Sequence, residues 1–206
     1  MAAMKPLVRV GVLILLVLCL LGVRTEAVGQ QGPHIAPPQA GRSQDEANLA
    51  YFTDAPVITH EGRQLRFYSD ILRDKLVLIN FFYTNCPTAP PGMARLFKVQ
   101  NLLGEELGKN VFILSISVDP ERDSLESIQE YAWKYNPKKG WMFLTGKAED
   151  MDRINRRLGN TLRLPEGHLR LFLLGNPHTG HWMRMLESAP PSSIVDGLRS
   201  LMSEKP

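Results

Sequence analysis

The sequence predicts an α/β protein, a central mixed sheet flanked by helices, and three observations carry that expectation. One is the apolar run Leu76-Val77-Leu78-Ile79-Asn80-Phe81-Phe82, whose β-branched and aromatic residues suit a strand buried on both faces. Another is the alternation of such strands with stretches of helical periodicity downstream. The last is a closing antiparallel hairpin followed by a helix.

Before the domain come two other kinds of segment. Residues 10–23 are apolar and follow Lys5 and Arg9, the charged and hydrophobic parts of an export signal with a cytoplasmic N-terminus. Thr25-Glu26-Ala27 offers a weak cleavage site, and the run is short for a membrane-spanning helix. Residues 1–27 are therefore expected to be a signal peptide or an N-terminal membrane anchor. Cys19 follows Leu18, not a small residue, which argues against lipoprotein processing and leaves it as a filler of the apolar run. Residues 28–50, rich in Gly, Gln, Pro, Ser and Ala without apolar periodicity, read as a flexible tether, with His34 a solvated bystander.

The folded domain is expected over residues 51–204. Val57-Ile58-Thr59 and Leu65-Arg66-Phe67 bracket the turn His60-Glu61-Gly62-Arg63, a β-hairpin extension with His60 exposed at its tip. The central strand follows and ends in the polar turn Thr84-Asn85-Cys86. Pro90 and Pro91 predict a distorted first turn and a helix from about Gly92, with Leu96, Val99, Leu102 and Leu103 inward. Residues 111–118 form a second buried strand. Asp123 or Ser124 caps a helix to about Tyr135 that buries Leu125, Ile128, Tyr131 and Ala132. A strand over 141–144 and a helix over 148–158, with Met151, Ile154 and Leu158 on one face, come next. Strands over 169–174 and 181–185 flank a turn, and a last helix over 192–202 carries Ile194, Val195, Leu198 and Leu201. Trp133, Trp141 and Trp182 read as core. No internal repeat is present.

Composition limits the function classes. The chain is 44% hydrophobic and 22% charged, ordinary for a soluble globular domain. Of the net +3, Lys5, Arg9 and Arg24 against Glu26 place +2 in the N-terminal segment. The remaining charges are interspersed and give no footprint for nucleic acid. No Gly-rich phosphate loop, Gly-x-Ser-x-Gly elbow or His-Glu-x-x-His motif occurs.

The candidate chemistry centres on Cys86. A thiol where a buried strand gives way to Pro87 and a helix N-terminus faces unpaired N–H groups that favour thiolate, the setting of a redox or soft-metal cysteine. The alternative is a small buried hydrophobe. Thioredoxin-type sites place a second Cys within the next turn, where this chain has Thr88, Ala89, Pro90 and Pro91. Cys86 is the one cysteine after residue 27, so a disulfide within the domain is excluded by counting. His168, between Gly167 and an apolar strand, is either a ligand or a loop-edge histidine bonded to backbone. His181, Met183 and Met185 share one strand face and could hold a soft metal, though a hairpin with core methionines is favoured. Asp119, Glu121, Arg122 and Asp123 are expected to shape and cap the strand-to-helix turn beside Cys86 more than to catalyse.

Leu78-Ile79-Asn80-Phe81-Phe82-Tyr83-Thr84-Asn85-Cys86-Pro87 and Ser115-Ile116-Ser117-Val118-Asp119-Pro120-Glu121-Arg122-Asp123, with the late His168, resemble the Sco/SenC family. The resemblance runs from about Phe52 to the end. It implies a thioredoxin-like fold and a membrane-tethered copper-binding factor that helps to assemble cytochrome c oxidase. It places Cys86 at the first cysteine of the family's Cys-x-x-x-Cys copper site and His168 at its histidine, while Pro90 stands at the second cysteine. One thiolate with one imidazole makes a poorer copper cage than two thiolates with an imidazole. The resemblance further implies a periplasmic location, or the outer face of the cytoplasmic membrane, or the equivalent intermembrane location in an organelle. Its partners would be a respiratory oxidase subunit or another copper chaperone. Two other readings stay open: a single-thiol reductase or peroxidase working through Cys86, and an interaction module without chemistry.

Overall fold

The computed structural model describes residues 43–204 apart from Thr88 and residues 162–164. The expected signal or anchor and tether residues 28–42 lie outside the described residues. The tether ends sooner than composition suggests, because helix α1 (Gln44–Phe52) occupies what was expected to be linker. Ser43 caps it: its hydroxyl accepts from Glu46 N, and Glu46 accepts from Ser43 N at 2.9 Å, a reciprocal pair that satisfies two otherwise orphaned donors. The helix is docked, with Phe52 fully buried 5.2 Å from the Trp182 ring and Asn48 donating to Pro177 O at 2.7 Å.

Strands β1 (Pro56–Thr59) and β2 (Gln64–Arg66) form the expected hairpin, and a wide helical turn over Phe67–Leu72 carries the chain beneath the sheet. The rest alternates as the periodicity predicts: β3 (Leu76–Phe82), α2 (Pro90–Leu103), β4 (Val111–Ser117), α3 (Leu125–Trp133), β5 (Trp141–Thr145), α4 (Ala148–Arg157), β6 (Leu171–Asn176), β7 (His181–Leu186) and α5 (Pro191–Met202). The seven strands lie in the order β2-β1-β5-β4-β3-β6-β7. The neighbours β3, β4 and β5 are parallel, and the outer pairings are antiparallel, so the sheet is mixed.

Residue alternation in β3 divides the core. Leu76, Leu78 and Phe82 point to one face, where Leu96 and Val99 of α2, Ile128 of α3 and Leu198 of α5 cover them. Val77, Ile79 and Phe81 point to the other, against Met151 and Ile154 of α4, the Phe67–Leu72 turn and Phe52. Asn80 breaks the apolar run without an unsatisfied group: it accepts from Ser115 Oγ, which in turn accepts from Trp141 Nε1. Both faces of β3 are thus covered.

Four expectations about burial need correction. Leu102 is 51% exposed and Leu125 37%, since the buried stripes of α2 and α3 pass through Val99–Leu103 and Ile128–Ala132 and leave these positions at the rim. Trp133 is 72% exposed because it lies one position past Ala132, about 100° round the helix from the stripe. His60 is half-buried, and Phe143 N donates to its Nδ1 at 3.3 Å; burial holds its pKa below the ordinary value.

If α1 is part of the domain, Phe52→Ala should lower unfolding free energy by about 3–5 kcal/mol in denaturant titrations. A change within about 0.5 kcal/mol would mean that residues 44–52 behave as linker.

Candidate functional site

Because β3, β4 and β5 are parallel, their carboxyl ends lie together, and the antiparallel β6 brings its amino end to the same side. The Cys86 turn follows β3, the Asp119–Asp123 turn follows β4, and His168 precedes β6. Open α/β sheets commonly place their sites at such strand ends.

Local bonds shape the Cys86 turn. Cys86 N donates to Tyr83 O at 3.1 Å, and Ala89 N donates to Cys86 O at 3.4 Å. Helix α2 begins at Pro90, with Pro in its first turn where an N–H is not needed. Cys86 therefore stands four residues before the helix, not directly at its N-terminus as the sequence suggested. It is also more enclosed than an accessible thiol: the residue is 7% exposed and belongs to the core that contains Phe82, Ala89, Met93 and Tyr131.

One carboxylate fixes the turn to the sheet. Asp123 Oδ1 accepts from Thr84 N at 3.0 Å and from Thr84 Oγ1 at 2.7 Å, while its Oδ2 accepts from Ser117 Oγ at 2.6 Å. Its backbone carbonyl accepts from Thr145 Oγ1 at 3.0 Å. Asp123 does not cap α3; Ser124 does, accepting from Ser127 N. Asp119 N donates to Ser117 Oγ at 3.1 Å, and its carboxylate pairs on its outer side with Arg122 at 3.2 Å. Asp123 thus ties Thr84 of the Cys86 turn to the end of β4, while the bonds of Asp119 stay within its own turn. Burial pushes the Asp123 carboxyl above the usual carboxylate range, against the opposing bonds from Ser117 and Thr84.

A second run of bonds continues to the histidine loop. Asn155 Nδ2 donates to Ser117 O at 3.0 Å, Asn160 Nδ2 donates to Asn155 Oδ1 at 3.4 Å, and Leu169 N donates to Asn160 Oδ1 at 3.3 Å. Leu169 is the residue after His168. The His168 backbone N donates to Pro165 O, and its Nδ1 lies 2.7 Å from the same carbonyl. A carbonyl can only accept, so Nδ1 carries the proton and Nε2 keeps its lone pair. His168 is 7% exposed.

Tyr83 lies beside both candidate residues: its carbonyl accepts from Cys86 N, and its ring meets the His168 ring edge-on at 5.7 Å and 90°. Burial raises the Tyr83 pKa. Sequence reasoning did not single out Tyr83, Thr84, Asn155 or Asn160.

The donor set suits a soft cation: one sulfur and one imidazole nitrogen with a free lone pair. Among the described residues no group of three His, Cys, Asp or Glu side chains could hold a metal. An ion needing three or four protein donors would thus find only part of its shell here. The other soft constellation does not form. His181 Nδ1 lies 2.7 Å from Glu204, while Met183 and Met185 pack against the core. A cleft of about 440 Å³ adjoins the site, between the Val118–Arg122 turn, α4, Asn160 and Pro165.

Comparison with known proteins gives a consistent answer. The SCO1/SenC family model matches residues 53–202. The SCO1 protein homolog of Bacillus subtilis is 36% identical over 146 residues, which cover 65% of this chain and 75% of that protein. Among solved structures, BsSco, described as a member of the Sco family of cytochrome c oxidase assembly proteins with a disulfide switch, superposes with a TM-score of 0.63. It is 26% identical, and the match covers 75% of this chain and 94% of that one. Copper-bound yeast Sco1 gives 0.60 at 23% identity, over 74% and 92% of the two chains, and shares the thioredoxin-like fold. The match spans only 25% of the SCO1 homolog 1 of Arabidopsis thaliana and 38% of the SCO2 homolog of Bos taurus.

Asp123→Ala should cost about 2–4 kcal/mol of stability, because Thr84 and Ser117 lose their shared acceptor. Asp123→Asn gives a pH test. A carboxyl whose folded pKa is raised contributes most below its unfolded value, about 4, and loses that contribution as pH rises through the folded value. The stability of the wild type relative to Asp123→Asn should therefore fall as pH rises from about 4, measured by denaturant titration at each pH. A difference that rises over the same window would contradict the burial argument.

Proposed function

The chain belongs to the SCO1/SenC family, and on that footing we propose that it is an exported accessory factor that assists copper delivery or assembly of a respiratory cytochrome oxidase. It is not an enzyme in this reading. Residues 1–27 direct or hold it at the outer face of the cytoplasmic membrane, in the periplasm or the equivalent intermembrane location. Its cargo is copper, and its partner is an oxidase subunit or another copper chaperone.

The observation that carries the reading is the Nδ1–H of His168, committed to Pro165 O, which leaves Nε2 as the donor on a ring packed against Tyr83, whose carbonyl accepts from Cys86 N. Cu(I) prefers thiolate sulfur, with imidazole a suitable second donor. Cys86 must give up its proton to the solvent as it takes the ion. Pro90, in the place of the family's second cysteine, supplies no side-chain donor. The chain therefore holds Cu(I) through Cys86 and His168, with a remaining position filled by a ligand from the partner. A cargo held by two bonds is held less tightly than in a two-thiol site and is more readily passed on by ligand exchange.

Cu(I) titration of the full chain against a chromophoric chelator tests this. The wild type should retain about one ion per chain, Cys86→Ser should lose it, and His168→Ala should weaken it by about tenfold or more. Pro90→Cys should tighten it by a similar factor. Retention unchanged in Cys86→Ser, or no binding by either the wild type or Pro90→Cys, would overturn the assignment. Rapid Cys86 oxidation at low peroxide, with turnover by an added thiol, would put a peroxidase in its place.

A further inference from the structure

β7 is an edge strand, and its residues alternate between the two faces of the sheet. Met183 and Met185 pack toward α5, so Trp182 and Arg184 face the side covered by α1 and α4. Two donors on that side have no acceptor among the described residues: Trp182 Nε1 and Arg184 Nε are both buried and unbonded. Native interiors seldom strand such groups, and a guanidinium is the costlier of the two to leave without a partner.

A second arginine stands at the same place. Arg157, the last residue of α4, lays its guanidinium over the Tyr51 ring at 5.5 Å. Arg184 Nη2 reaches the same helix end, 3.1 Å from where a Cβ on Gly159 would stand. The last carbonyls of the helix are already taken by Leu158, Gly159 and Asn160 N. Tyr51 is joined to Trp182 through Phe52, with ring centroids 4.9 and 5.2 Å apart. Burial raises the Tyr51 pKa, and Arg157 and Arg184 both oppose that rise, as two charges near one phenol must. Among the described residues neither arginine has a carboxylate partner, whereas Arg153 and Arg156 of the same helix pair with Asp150 and Asp152.

Two positive charges, several donors and no counter-charge describe the surroundings of an anion. We propose that Arg157 and Arg184 hold a phosphate group between α1, the end of α4 and β7. One guanidinium fork engages both oxygens of a carboxylate, while a phosphate keeps oxygens for a second fork. The phosphate is a free ion or a phospholipid headgroup. Leu186, the next residue on this face of β7, is exposed and offers an apolar neighbour to the second.

The test titrates the nitrogen-labelled full chain with sodium phosphate and follows the Arg184 Nε–H and Trp182 Nε1–H resonances by NMR. Both should move saturably. Arg157→Gln should weaken binding about tenfold or more, the loss of one charge-assisted contact, and Arg184→Gln should do the same, read at Trp182. Arg153→Gln, which removes a guanidinium already paired with Asp150, is the control and should bind as the wild type does. If Arg184→Gln does not fold, Arg157→Gln still decides, because that side chain is exposed. Dihexanoyl phosphatidylglycerol below its micelle concentration separates the two sources: tighter binding than phosphate assigns the site to a headgroup, weaker binding to the free ion. No saturable shift with either phosphate probe, an equal shift with sodium chloride at matched ionic strength, or unchanged binding in Arg157→Gln would overturn the proposal. Sodium acetate bound as tightly as phosphate would overturn it too, and would put an acidic protein partner in its place.

Discussion

Thr84, Ser117 and Thr145 belong to three different strand ends, and all three hydroxyls converge on a single residue, Asp123. Its carboxylate is 1% exposed, so it stands only because each oxygen receives a donor. The arrangement turns a costly buried charge into a fastening: the ends of β3 and β4 cannot drift apart without stranding that charge, and β5 is tied to the same residue through its backbone carbonyl. The Cys86 turn is thereby fixed at its second residue, and through Ser117, Asn155 and Asn160 the same framework reaches the backbone next to His168.

Local pattern made most of the fold readable. β3 alternates its residues between two cores, and helices α4 and α5 bury the residues that their spacing selects. Helix α1 was missed because its nine residues have almost no apolar moment. The Ser43-to-Glu46 capping box was the available signal, and it lies inside a stretch whose composition resembles linker. Trp133 was misplaced for a related reason: residue type suggested core, whereas its angular position on the helix places it in solvent.

The site was only half legible. Cys86 stood out because it ends a buried strand, and His168 because of the family resemblance. Tyr83 was hidden at the end of an aromatic run, where nothing local distinguishes the last strand residue from the first residue of the turn. Asn155 and Asn160 act through partners that only the tertiary fold supplies, such as the Ser117 carbonyl 38 residues away. Hydrogen-bond partners at that separation leave no periodic trace in a single sequence. The setting of Cys86 also differs from expectation: the thiol lies in a tight turn within the core, four residues before the helix and not at its N-terminus.

Asn48 reaches Pro177 beyond the last residue of β6, and His178 lies 4.0 Å from Asp74, just ahead of β3. Helix α1 thus docks where β3 begins, while Cys86 follows its end, roughly 20 Å away by the rise of a seven-residue strand. The Ser43 end of α1 is thus moored at one pole of the domain, and the Cys86 turn lies at the other. A pull on that mooring would be borne by Asn48 and Phe52 and spread into the sheet from its far end. The Cys86 turn therefore lies at the end of the sheet farthest from any load that enters through α1.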